Sequence, residues 1–198
     1  MVATRDPRTM GPTRETRGTA IVPDGLLGMV LFVLAEAMLF AGLISAFSIA
    51  KASAVVWPPP DQPRLPILAT GFNTAVLLAS GGFLYRARLA FHRGDRAGMR
   101  TPLRLALALG VFFVLFQGTE WVRLISQGLT LTSSALGSFF YLIVGMHALH
   151  AVGAIGLLGY ATLRLHRGWL TPSLFGAAEV FWYFVVGLWP ILFGVVYW

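Results

Sequence analysis

Residues 26–50 read LLGMVLFVLAEAMLFAGLISAFSIA, twenty-five residues in which Glu36 is the one ionisable side chain. A helix rises about 1.5 Å per residue, so this run is long enough to cross the roughly 30 Å hydrocarbon core of a bilayer. It is too long for the apolar region of a secretory signal. Four more apolar runs follow, approximately Ile67–Tyr85, Leu103–Ile125, Leu136–Leu163 and Leu174–Trp198. Hydrocarbon offers the backbone no water, so a spanning segment must be a helix or part of a closed barrel. These runs lack the short alternating pattern of membrane strands. The sequence therefore predicts an all-α membrane protein. Residues 25–198 are expected to form a bundle of five transmembrane helices, and residues 1–24 a flexible basic tail with Arg5, Arg8, Arg14 and Arg17 among Thr, Pro and Gly.

Composition agrees. Of 198 residues, 57% are hydrophobic and 12% charged, about half the charged share of an ordinary soluble domain. A disordered chain is excluded, and a soluble globular enzyme does not fit. There is no cysteine, which removes disulfides, thiolate zinc sites, iron–sulfur clusters and a Cys nucleophile. The net charge of +7 is explained by topology. The tail, the connection between spans 2 and 3 (Arg86, Arg88, Arg93, Arg96, Arg100, Arg104) and that between spans 4 and 5 (Arg164, Arg167) fall on one side. Only Lys51, Arg64 and Arg123 fall on the other. The positive-inside rule then predicts a cytoplasmic N-terminus and a periplasmic C-terminus, with no need for a nucleic-acid partner. Residues 57–66, with five prolines in ten, read as a stiff extended crossing. Residues 86–104 read as a basic loop.

Ionisable groups inside spans are costly and so informative. Glu36 lies in span 1, Glu120 near the end of span 3 and Glu179 early in span 5. His147 and His150 sit three residues apart, on one face of span 4. Gly153, Gly156 and Gly159 continue that spacing and predict close approach of a neighbouring helix. Three readings stand together at this point. The acids and histidines form a structural hydrogen-bond network, or a headgroup site or proton relay, or a metal site. Carboxylate–histidine metal sites of helical bundles use Glu-x-x-His on one helix, a motif missing from this sequence. A haem needs an axial ligand, yet His92 and His166 fall in predicted connections. The tryptophans at 57, 121, 169, 182, 189 and 198 read mostly as an interfacial belt; Trp182 and Trp189, seven apart, also suit a packing face.

Several short motifs then carry a resemblance. Ala35-Glu-Ala-Met-Leu-Phe-Ala-Gly42 resembles the start of the third helix of cytochrome c oxidase subunit III. Trp57-Pro-Pro-Pro is similar to that family's Trp-Pro-Pro loop, and Asn73-Thr-Ala-Val-Leu-Leu-Ala-Ser-Gly81 to its next helix. Gln117-Gly-Thr-Glu120, Gly145-Met-His-Ala-Leu-His150 and Phe181-Trp-Tyr-Phe-Val185 follow in the family's order, with Tyr-Trp at the end. The likeness spans about residues 30–198 and is to the five-helix bacterial form. The superfamily also holds subunit III of bo-type quinol oxidases and a protein associated with nitric oxide reductases.

The resemblance implies a non-catalytic subunit of a haem–copper terminal oxidase in aerobic respiration, in the bacterial inner membrane. It implies no cofactor and no catalytic residue in this chain, with haem and copper in the partners, subunit I (the main contact) and subunit II. It further implies phospholipid binding in a cleft, and support of oxidase stability and of oxygen and proton delivery. Glu36 corresponds to the family's intramembrane carboxylate, and Arg164 falls at a lipid-phosphate arginine. With Glu120, His147 and His150 these are the expected lipid-binding or intramembrane polar residues. Two positions depart: Tyr183 and Val186 stand where the family has His and Asp. Pro190 is expected to kink span 5. The competing readings are an accessory subunit of a nitric oxide reductase, and a small proton-coupled transporter or channel with its path along Glu36, Glu120, His147 and His150.

Overall fold

The structure, a computed structural model, describes residues 24–57 and 63–197. The tail, most of the proline-rich crossing and Trp198 lie outside the described residues. Five helices follow in order: α1 (Asp24–Ser53), α2 (Ile67–His92), α3 (Arg96–Ser126), α4 (Ala135–His166) and α5 (Pro172–Tyr197). Each is long and apolar enough to cross a membrane.

The helices outrun the apolar runs, and this corrects the reading of residues 86–104 as a loop. Only residues 93–95 are non-helical there. Arg, Ala and Leu dominate the stretch, and all three are strong helix formers. The turn is made by Gly94, whose φ of 72° is open to glycine without strain. The Gly94 amide donates to the Phe91 carbonyl and the Asp95 amide to the Ala90 carbonyl, each at 3.0 Å, which is the Schellman pattern. Asp95 then caps α3, its carboxylate accepting from the Gly98 amide at 2.7 Å. The same closure recurs at Gly128 and Gly168. Accordingly His92 and His166 are the last residues of helices.

α5 is the central post, packing against α1, α2 and α4, while α2 and α3 form a tight hairpin. Two indoles fix α5 on α2. Trp182 Nε1 donates to Ser80 Oγ at 3.3 Å, and Trp189 Nε1 donates to Thr74 Oγ1 at 2.9 Å. Each hydroxyl passes its own proton to a carbonyl one turn back, at Leu77 and Thr70. Both tryptophans are buried, so these two serve packing and not an interfacial belt. Arg88 of α2 joins Glu179 of α5 at 3.0 Å. The helix runs unbroken through Pro190.

The glycine stripe of α4 is not where helices crowd. A Cβ at Gly156 would meet nothing within 4 Å, and one at Gly153 would only touch the Phe181 ring at 3.5 Å. Phe181, a large side chain, occupies that approach. Crowding between helices falls instead at glycines such as Gly110 of α3, where a Cβ would collide with the Trp182 ring. Trp182 cannot yield, because its indole N–H is held by Ser80. Gly110→Ala is therefore expected to cost about 1–3 kcal/mol as overpacking. Gly118→Ala on the same helix faces open space and is expected to be near neutral. Thermal unfolding in detergent checks the contrast.

Candidate functional site

Glu36 lies twelve residues into α1, roughly 18 Å from its start at a helical rise. Its carboxylate Oε2 is 3.0 Å from His150 Nε2 of α4. The approach is at ion-pair distance without the alignment of an ideal hydrogen bond. The other ring nitrogen, His150 Nδ1, is 2.7 Å from the Met146 carbonyl. A carbonyl only accepts, so Nδ1 carries the hydrogen. Nε2 and the carboxylate oxygen would then repel as two lone pairs unless a proton lies between them. A proton shared by the pair, as carboxylic acid and imidazole or as carboxylate and imidazolium, would relieve that repulsion.

Its surroundings are aromatic. Phe40 lies 5.4 Å from the His150 ring, and Phe32, Phe181 and Phe184 each 6.2 Å, between centroids. Two helices, α1 and α5, contribute this collar around the α4 histidine, which keeps the local dielectric low and strengthens any hydrogen bond inside it. The collar is open on one side, because the Glu36 side chain keeps 20% of its accessibility.

The remaining candidates divide. His147 is fully buried but turned to a different neighbourhood. Its ring lies 4.9 Å from Trp189 and is flanked by Phe113 and Phe40. Neither of its nitrogens has a protein partner. It also lines a cavity of about 110 Å³ shared by α3, α4 and α5. Glu120 is not brought to the pair; it takes Arg123 of its own helix at 2.8 Å. Arg164 lies between two aromatic faces, its guanidinium carbon 5.5 Å from the Tyr160 centroid and 5.8 Å from that of Trp169. Arg96 donates to the Gly168 carbonyl at 2.9 Å and so joins the turn beside Arg164 to α3. Tyr183 and Val186 face α2, where Val186 lies 3.2 Å from the place a Gly81 Cβ would take.

A second polar set went unread in the sequence. Asn73 Nδ2 donates to the Phe113 carbonyl at 3.1 Å, and Gln117 Nε2 donates to the Tyr197 hydroxyl at 3.2 Å. Buried amides inside apolar spans are the signal that exposes such a set. No group of three or more His, Asp or Glu able to hold a metal occurs among the described residues.

The comparisons with known proteins follow this geometry. A family profile described as "Cytochrome c oxidase subunit III" matches residues 5–198. "Cytochrome c oxidase subunit 3" of Synechocystis sp. is 32% identical over 188 residues, covering 92% of this chain and 79% of that protein. "Probable cytochrome c oxidase subunit 3" of Mycobacterium leprae is 36% identical over 201 residues, covering 95% and 98%. "Cytochrome c oxidase subunit 3" of Sus scrofa is 33% identical over 196 residues, covering 94% and 74%.

The shared proton has a measurable consequence. Leaving one buried partner without the other costs about 1–3 kcal/mol, while removing both is far milder. His150→Leu is expected to destabilise the chain more than the double change Glu36→Leu/His150→Leu. Glu36→Gln, whose amide can donate to Nε2, is expected to be nearly neutral. A double-mutant cycle on thermal unfolding checks this, and single and double changes of equal cost would contradict it.

Proposed function

The chain belongs to the cytochrome c oxidase subunit III family, and from that premise we propose that it is the non-catalytic third subunit of a bacterial haem–copper terminal oxidase. The observation that carries this is a family match running the length of the membrane domain. The relatives bear the oxidase name, and neither the nitric oxide reductase reading nor the transporter reading is favoured.

On this reading haem and copper belong to the partner subunits. The chain's own residues do other work. Glu36 and His150 hold one proton inside a phenylalanine collar and tie α1 to the bundle. Outward on α1, Leu31, Leu34, Met38 and Ile49 are all more than half exposed. That apolar face suits lipid or the large catalytic subunit. The arginines at one end of the bundle support a cytoplasmic N-terminus in the inner membrane.

Arg164 is the lipid-contacting residue of this reading. Stacking on Tyr160 and Trp169 limits its rotamers, so less entropy is lost when the fork grips a phosphate. Arginine grips phosphate bidentately, which lysine cannot. Arg164→Ala is expected to release an anionic lipid and to shorten the working lifetime of the oxidase while initial turnover stays near normal. Native mass spectrometry of the complex and inactivation kinetics read both effects. Unchanged lipid retention with unchanged lifetime would reduce Arg164 to a topology anchor.

Assignment to an oxidase is tested by purification in mild detergent through a tag on this chain. Haem-bearing membrane subunits are expected to come with it, visible both in the absorption spectrum and by mass spectrometry. Recovery of the chain without any haem protein would overturn the reading.

A further inference from the structure

We propose that the groove beside the α2–α3 hairpin, at the arginine-rich end of the bundle, binds one anionic phospholipid, at a site separate from Arg164. The inference goes beyond the oxidase reading and needs only that the chain sit in a bilayer.

The groove has a volume of about 510 Å³. Two helical stripes face it. Phe83, Arg86 and Ala90 recur on α2 at intervals of three and four residues, Arg93 continues them at the C-cap, and Pro102 and Leu105 answer from α3. From Phe83 to Arg93 the stripe runs roughly 15 Å along the helix, about half the hydrocarbon thickness. The two cations sit toward the turn, and the deep end at Phe83 and Leu105 is apolar. A phosphate above and an acyl chain below match that order.

Charge separates this groove from an ordinary basic end. Most of the neighbouring arginines are engaged: Arg88 with Glu179, Arg96 with the Gly168 carbonyl, Arg104 with the Arg100 carbonyl, Arg164 with two rings. Among the described residues the side chains of Arg86, Arg93, Arg100 and Arg167 have no protein partner, and of these Arg86 and Arg93 line the groove. Asp95, the one carboxylate lining the groove, is already committed to capping α3. Thr101 adds a hydroxyl to the lining. Two unpaired guanidinium groups seven residues apart, one on α2 and one at its C-cap, line the same groove and can each grip a phosphodiester oxygen. Basic pockets between spans at the cytoplasmic surface are suited to anionic headgroups. The chain's own tail is a poor occupant, since its four arginines outnumber Asp6 and Glu15.

The test uses the full chain in detergent micelles, titrated with phosphatidylglycerol or phosphatidylcholine and read by native mass spectrometry. Wild type is expected to retain one phosphatidylglycerol that Arg86→Gln/Arg93→Gln binds about 30-fold more weakly, since each arginine near an anionic headgroup contributes roughly fivefold. Arg164→Ala is expected to keep this lipid, which separates failure here from failure of the Arg164 reading. Ala90→Phe changes no charge and fills the groove between the two arginines, so it is expected to weaken binding as well; its thermal melting confirms that it folds. Equal retention by the double arginine variant, or equal binding of phosphatidylcholine, would overturn the site. Displacement of the lipid by millimolar inorganic phosphate would also overturn it, by showing a small-anion site in place of a lipid site.

Discussion

The contact of α1 with α4 turns on the pairing of the Glu36 carboxylate with the His150 imidazole. In a bilayer the lipid tails are as apolar as the helix surface, so burial alone does not drive one span against another. α1 illustrates the consequence: Phe40 and Phe47 are the buried residues along its length. A helix so lightly packed would have weakly specified rotation and depth. One carboxylate paired with an imidazole in hydrocarbon supplies both, because any other rotation of α1 leaves Glu36 without its imidazole. The Met146 carbonyl contributes by fixing which nitrogen of His150 is free to meet it.

The rest of the bundle follows the same rule, mostly with neutral groups beside the Arg88–Glu179 ion pair. α5 is fastened to α2 by two indole N–H groups and two hydroxyls. Each hydroxyl accepts from an indole and donates to a carbonyl on its own helix, so none is left unpaired. Asn73 and Gln117 extend the pattern to α3 and to Tyr197 at the end of α5. These contacts hold elements that are far apart in the chain, and they set the post against which α1 and α4 lean.

That long-range character explains what the sequence disclosed. The five spans were legible from run length, and helix ends were marked locally by Gly94, Gly128 and Gly168. The likeness of Glu36 and His150 to family motifs was legible because both lie in short ordered patterns. The pairing of Trp182 with Ser80, 102 residues apart, leaves no periodic trace. Nor does the crowding at Gly110, whose neighbour in space is a tryptophan on another helix. The stripe Gly153, Gly156 and Gly159 misled for the same reason: small residues permit close approach, but the partner decides whether it happens. In the arginine stretch 86–104 charge suggests a loop, while its Ala and Leu content favours the helix that forms.

The central claim is that Glu36 and His150 share one proton across the α1–α4 contact. Side-chain nitrogen NMR on the histidine-labelled chain in bilayers reads it directly, since the sequence holds four histidines. The account predicts that His150 Nδ1 is protonated, and that Glu36→Gln shifts the Nε2 resonance of His150 while leaving Nδ1 and the His147 signals in place. A His150 protonated at Nε2 alone, or an Nε2 resonance indifferent to Glu36→Gln, would contradict it.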